Sequence, residues 1–397
     1  MSANTQDYSL APPARAVTAG PLFHWFGYYD KFPWNGSQKL LLGNEIDFMD
    51  RILQAGDTIN VGFVDLEAGT EFHPIAETPA WCWQQGTMLQ WLGTDPERKC
   101  IYNSVEDGQY VSVIHDVRSG ETRTLPRPVY AVSRDGTQAV GNNFSRVART
   151  RAGYGYLALP DPTEGIDAPD DDGVWWMDLE TGENRLIISL EQIVNTRHQD
   201  SMDEGESWVN HLQFNADGSR FLFLHRWRRP DTGGHHTRLL TANPDGSDIC
   251  VLNEFEMTSH FDWMGTDHIL AWARHRQIGD RYFLYRDQSP WFEVVGEDVF
   301  TCDGHCSYSP DMRFILTDTY PDEEEKRTLI VYDTVTGARA DIGRFLSPKK
   351  YSGEIRCDLH PRWSRDGKQV CFDSIHEGPR QIYVMDVAEV LEQVMQG

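Results

Sequence analysis

The chain has 397 residues, 40% of them hydrophobic, with 13 Trp, 15 Tyr and 18 Phe, which is ample apolar material for a folded core. Its 36 Lys and Arg stand against 61 Asp and Glu, a formal net charge of -25 that argues against nucleic acid and anionic membranes as partners. No run approaches the roughly 18 apolar residues of a spanning helix, which excludes a polytopic membrane protein.

The first segment, MSANTQDYSLAPPARAVTAG, has neither a basic n-region nor an apolar h-region. It reads as an N-terminal arm over residues 1–20 of a protein that is not exported, and predicts a cytoplasmic location. The seven cysteines have no paired spacing and fit reduced thiols better than a disulfide framework.

From residue 21 to 397 the chain repeats itself. Seven hairpin signatures, each a strand, a tight turn and a strand, align on an aromatic residue or Val before the turn: Trp34, Trp91, Val132, Phe214, Trp263, Tyr308 and Trp363. The intervals between these anchors are 57, 41, 82, 49, 45 and 55 residues, mostly close to the ~40–50 of propeller blades. The long one implies an insertion. A second hairpin follows each anchor, as in VSVIHDVRSGETRTL and LIVYDTVTGARADI. Four strands in each of seven units predict an all-β fold, a seven-bladed β-propeller of four-stranded antiparallel blades in a single domain. Two β-sandwiches would also give short strands and regular turns, but not seven copies of one hairpin pair. The tail DVAEVLEQVMQG has a helical pattern, so the last blade is expected to close with a strand from the N-terminal arm.

Three residues before the anchors stand Lys31, Met88, Val129, His211, His260, His305 and His360. Four consecutive units therefore carry histidine at one position, the entry of the innermost strand. With 14 His in the chain, chance fills a given position only about 4% of the time. A repeated His that hydrogen-bonds the neighbouring blade is one explanation. Convergent imidazoles at the channel mouth, as a metal site or acid/base cluster, are the other. Cys357 lies three residues before His360 and could add a thiolate, which would favour Zn²⁺ over Mn²⁺ or Ca²⁺.

Propeller topology brings the loops between second and third strands to the same face. There the acidic protein is basic. NFSRVARTRAGYGYLALPD supplies Arg146, Arg149, Arg151, Tyr154 and Tyr156. HRWRRPDTGGHHTR supplies His225, Arg226, Arg228, Arg229, His235, His236 and Arg238, and ARHRQIGDRY supplies Arg274, His275 and Arg276. An Arg and Tyr rim over a His-lined channel suits a carboxylated or sulfated ligand, because guanidinium forks match those groups. GYGYLA is followed by Pro160 and Pro162 where a helix should begin, so dinucleotide binding is not expected. Walker, G-x-S-x-G and H-E-x-x-H motifs are missing from the sequence.

GHCSYSPD, with His305, and CDLHPRWS, with Cys357 and His360, resemble the metal-binding blades of oligogalacturonate lyases. In that family a His at the first place and a Gln-x-x-His-x-His at the second hold a divalent metal. Here Cys357 stands at the Gln place and Arg362 at the last His place. His260 falls where the family has its catalytic base. The segment RPVYAVSRDGTQAV, with NFSR and RAGYGY after it, resembles propeller-type ulvan lyases, which use a Tyr and His pair with Arg partners. Tyr154 or Tyr156 would be that Tyr, and Gln84, Gln85 and Asn103 stand where those enzymes place histidines.

These resemblances imply a lyase acting on an anionic, uronic-acid-containing oligosaccharide by β-elimination. The C5 proton lies α to a carboxylate and is barely acidic, so a metal, Arg or His must neutralise that carboxylate. A His or Tyr must take the proton and another donate one to the departing O4. The expected catalytic set is His260, Tyr154, Tyr156, His211, Arg151 and Arg228. His305, His360, Cys357 and His260 are the candidate ligands for a divalent metal, Zn²⁺ or Mn²⁺ ahead of Ca²⁺. The rival expectation is a TolB-like, non-catalytic propeller in which the histidines are structural. Oligomeric state is left open.

Overall fold

A computed structural model describes residues 11–203, 205–229 and 231–396. Residues 1–10 of the expected arm lie outside the described residues. The chain forms seven four-stranded antiparallel sheets, six of them in sequential order outward from their first strand. The fold is the seven-bladed β-propeller. Its innermost strands are Phe23–Trp25, Gln90–Trp91, Ala131–Val132, Ser207–Phe214, Thr258–Met264, Ser307–Tyr308 and Arg362–Trp363. In the seventh sheet the outer place is taken by Arg15–Ala16, with Arg15 opposite Val384 and Ala16 opposite Tyr383. The C-terminal helix Ala388–Gln396 buries Val390 and Val394 against the sixth and seventh blades.

Turn chemistry explains why the repeats fold alike. In blade three Asp135 accepts from the Ser133 hydroxyl at 2.6 Å and the Thr137 amide at 3.1 Å, and Gly136 takes φ +75. Blade seven repeats this with Asp366, Ser364, Lys368 and Gly367. Asx turns of this kind close a hairpin using only a short polar side chain and a glycine at positive φ. The repeated aromatic anchors join blades: the Trp91 indole donates to the Pro33 carbonyl at 2.8 Å, and Trp263 donates to Gln213 at 3.2 Å. Each ring is buried against the preceding blade.

Two departures from regularity shape the channel mouth. The 82-residue interval holds an insertion between the second strand of blade three, Gln138–Gly141, and its third, Gly173–Asp178. It begins with the helix Phe144–Thr150, capped by Asn143, whose side chain accepts from the Arg146 amide. In blade one, Phe23–Trp25 pairs with residues 44–46, and the sheet resumes only where Trp34 bridges Leu41. Residues 26–33 leave the sheet between these points. Asp373 accepts from the Phe26 and Gly27 amides, and Asn44 donates to the Phe26 carbonyl. The excursion buries Tyr28 and Tyr29 against Val147, Tyr154 and Trp208. No helix among the described residues is long and apolar enough to cross a membrane.

Candidate functional site

The four aligned histidines meet. The rings of His260 and His305 have centroids 4.1 Å apart, and those of His305 and His360 4.4 Å. Tyr28 joins His211 to the others, stacking on its ring at 5.0 Å and meeting His360 edge-on at 4.9 Å. His305 and His360 stand just before their two-residue inner strands. His211 and His260 sit instead inside longer strands, at register shifts between Asn210 and Gln213 and between Thr258 and Phe261. A bulge there turns a side chain that regular alternation would place elsewhere toward the channel.

His305 is fixed most firmly. Its Nδ1 lies 2.8 and 3.0 Å from the two Asp318 oxygens, and its amide donates to the same carboxylate. Gly304 permits this approach, since a Cβ there would stand 1.8 Å from the Asp318 carbonyl oxygen. A carboxylate only accepts, so Nδ1 carries the proton and Nε2 keeps its lone pair. That Nε2 is buried without a partner, as is Nε2 of His360. Both stand 3.9 Å from Asp358 Oδ2. His305, Asp358 and His360 are the three-residue set that could hold a metal among the described residues. Asp358 is buried, which by itself would raise its carboxyl, but Arg327 at 2.5 Å and Arg356 at 2.7 Å hold it well below the carboxylate range.

The other two histidines are polarised in opposite senses. His260 Nδ1 faces Asp303 at 3.0 Å, so its proton lies on that side and Nε2 is free to accept. Burial lowers its basicity and His305 adds to this, against the opposing pull of Asp303. His211 Nδ1 accepts from the Tyr130 hydroxyl at 3.1 Å and from Gln85 at 3.3 Å, which leaves Nε2 as a donor. Burial, then Arg226 and Arg151, keep His211 neutral.

Most of the basic rim has internal work. Arg146 is buried and donates to four backbone carbonyls, those of Ser207, Thr163, Ile166 and Asp167. Arg149 pairs with Asp161 and Glu206. Arg238 donates to His225 and to three carbonyls. Arg228 donates to the Arg149 carbonyl at 2.9 Å and lies 6.0 Å from the centre of the Trp208 ring. Arg226 is different. It is 3% exposed, makes no ion pair among the described residues, and has Nε and one terminal nitrogen without partners. Burial and the neighbouring Arg151 bring its guanidinium down to about 9. Arg151 lies 4.4 Å from the centre of the Tyr154 ring and 3.3 Å from His235 Nε2. Burial and the surrounding arginines push His235 down to about 2, so it stays neutral.

The two candidate tyrosines separate cleanly. Tyr154 faces the cluster, 5.4 Å from His211, with its hydroxyl accepting from Arg356 at 2.5 Å. Tyr156 stacks on Phe144 at 4.1 Å in the core, and its hydroxyl accepts from Asn103. Cys357 is not among the convergent groups. It packs with Trp25, Trp81 and Trp83, and burial pushes its thiol up to about 11. Arg362 is folded back onto Asp373 at 3.0 and 3.2 Å, with its guanidinium near Phe26. Gln84 donates to the Glu354 and Arg356 carbonyls, and Asn103 to that of Val129. Asp358, Asp303, Asp318, Tyr28 and Arg356 were not singled out from sequence. Asp358 had a signal in its place two residues before His360, and Tyr28 in the pair of tyrosines ahead of Lys31. The opposite end of the channel opens on a cavity of about 230 Å³ that contains none of the four histidines. Asp262 lines it, its carboxyl raised by burial to about 7.

Two solved oligogalacturonate lyases match this architecture end to end. One, from Vibrio parahaemolyticus, is 17% identical, with a TM-score of 0.65 over 97% of this chain and 96% of its own. The chain shares the fold of the oligogalacturonate lyases. The second, an oligogalacturonate lyase in complex with manganese, is 16% identical, with a TM-score of 0.65 over 98% and 96% of the two chains. A prolyl endopeptidase aligns more loosely, at 11% identity and a TM-score of 0.52, over 92% of this chain and 47% of its own. No family model and no curated protein matches the sequence.

Proposed function

We propose that this protein is a lyase that cleaves uronic-acid-containing oligosaccharides by β-elimination at the histidine end of the channel. One observation carries the reading. Two buried imidazole nitrogens without partners face a carboxylate, and a buried guanidinium with no counter-ion among the described residues acts on His211 of the same cluster. Unpaired buried polar groups cost free energy, so a set of them around one mouth implies a ligand that completes them. A carboxylated sugar supplies the anion.

His305, His360 and Asp358 would hold a divalent metal. The orphaned Nε2 atoms and the tautomer set by Asp318 fit that role. Bound there, a metal supplies Lewis acidity toward a sugar carboxylate. The manganese of the solved lyase favours a hard divalent ion, and the Cys357 thiol, turned into an apolar cluster, removes the argument for zinc.

The remaining roles follow from protonation. Arg226 and Arg151 neutralise the carboxylate of the sugar that loses its proton. His260 Nε2, kept unprotonated by burial and oriented by Asp303, takes the C5 proton. The electron pair released forms the C4–C5 double bond as the C4–O4 bond breaks. O4 then needs a proton, which the Tyr154 hydroxyl supplies while neutral His211 donates a hydrogen bond from Nε2 to the departing oxygen. Arg228, which donates to the Arg149 carbonyl and lies over Trp208, is given no step in this scheme.

The test is a panel of galacturonate, glucuronate and ulvan-derived oligosaccharides with Mn²⁺ supplied, read by the ultraviolet absorbance of the unsaturated product. Absorbance growth that is lost in His260→Gln supports the reading. No growth on any member, with folded and metal-loaded protein, refutes it and returns the propeller to a binding scaffold.

A further inference from the structure

Three large aromatic side chains are exposed among the described residues: Phe32, Trp291 and Tyr320. Phe32 lines the cavity at the other end of the channel, and Trp291, just before the outermost strand of blade five, packs edge-on against His268. Tyr320 alone stands against the histidines. It is 41% exposed, and its ring centre is 6.2 Å from that of His305.

Its mounting is rigid. Tyr320 lies in the connection between Phe314–Asp318 and Lys326–Asp333, the second and third strands of blade six. Asp322 closes that connection by accepting from the Glu324 and Lys326 amides at 2.9 and 3.0 Å, and it pairs with Arg344. The Thr319 side chain accepts from the Thr328 amide, and the Thr319 carbonyl from Arg327. The Arg327 guanidinium lies 5.6 Å from the centre of the Tyr320 ring while gripping Asp358. An exposed aromatic normally loses little by moving, yet this one is tied through one arginine to the proposed metal set.

We infer that Tyr320 is a stacking platform for the pyranose ring next to the one that reacts. This rests on the lyase reading above. The apolar face of a sugar ring packs on an aromatic face. A substrate held this way needs at least two sugar rings. Its second ring contributes binding rather than chemistry, so Tyr320 positions substrate and takes no part in proton transfer.

The experiment compares wild type, Tyr320→Ala, Tyr320→Phe and the control Trp291→Ala on a galacturonate trimer. Initial rates are measured, and trimer binding is titrated in a His260→Gln background with and without Tyr320→Ala. Tyr320→Ala is expected to raise KM and Kd about tenfold with kcat within about twofold, while Tyr320→Phe and Trp291→Ala stay close to wild type. An unchanged KM and Kd in Tyr320→Ala, or a loss confined to kcat, overturns the platform. Wild type that neither binds nor cleaves the trimer or any other uronate overturns the lyase reading itself. Because Tyr320 is exposed, all variants should melt at the wild-type temperature, and this checks that the loss is one of binding.

Discussion

The Tyr29 hydroxyl donates to the Phe261 carbonyl at 2.9 Å and accepts from the Phe261 amide at 3.0 Å, joining blade one to blade five across the channel. Phe261 follows His260, just after the register shift and opposite Ala271, and the phenol pairs the Phe261 backbone groups on the side away from the second strand. Tyr29→Phe leaves both backbone groups buried and unpaired. The expected cost is about 1–3 kcal/mol in denaturant unfolding. A larger fall in kcat than in KM would show that His260 has lost its orientation.

Arg226 is expected to trade stability for activity. Replacing a buried, unpaired guanidinium relieves desolvation and repulsion from Arg151, so Arg226→Gln should melt no lower than wild type. Uronate cleavage should fall by about a hundredfold or more in kcat/KM. A variant that loses stability and keeps activity would contradict this assignment.

Metal loading should depend on a residue that cannot touch the metal. Asp318→Asn can donate to His305 Nδ1 and so favour the wrong tautomer, leaving Nε2 protonated. Weakening of Mn²⁺ affinity by about 10–100-fold is expected, measured by titration of the folded protein. His305→Ala and Asp358→Asn should lose more, and Cys357→Ala should bind as wild type does.

The paired tyrosines give a sharp contrast. Tyr154→Phe should reduce turnover with little change in melting. Tyr156→Phe should leave turnover intact and cost about 1 kcal/mol by leaving one of the two Asn103 amide hydrogens unpaired. Steady-state rates and melting curves on both variants decide it.

Acid should destabilise the fold early. His225 is buried, accepts from Arg238 at 2.9 Å, and is held well below its usual pKa by burial and then by that arginine. It is neutral when folded but takes a proton when unfolded, so stability is fully present above pH 6.5 and falls as pH drops below it. One such group contributes a slope of about 1.4 kcal/mol per pH unit below that point. His225→Gln, which can still accept from Arg238, should flatten the dependence of melting temperature between pH 6.5 and 5.

The architecture was legible because its signals are local. Tight turns and an aromatic or Val anchor recur in each blade, and the period is set by four strands and their turns. The histidines were legible for the same reason, since a repeat places equivalent residues at equivalent radii. What failed to show was direction. Cys357 and Asp358 are neighbours, and backbone geometry alone sends one into the tryptophans and the other to the histidines. Tyr154 and Tyr156 divide in the same way inside an insertion that has no counterpart in other blades. Tyr28 escaped because blade one departs from the repeat there, and a repeat cannot predict its own exception. Arg226 could be listed as a rim residue, but only its unpartnered nitrogens distinguish it from Arg146 or Arg238.

The pairing of Arg15–Ala16 with Gln381–Asp386 makes the last blade a joint product of both chain ends. Asp358 and His360 belong to that blade, while Tyr28 enters the channel only a dozen residues after the closing strand. During synthesis the beginning of the chain must therefore wait for its end, and no partial product holds the complete set of facing groups. Cuts at the two ends should accordingly differ in kind from cuts in outer loops. Removal of residues 11–17 should cost the ring its seam and the site its geometry together, whereas a nick in an outer turn should spare both.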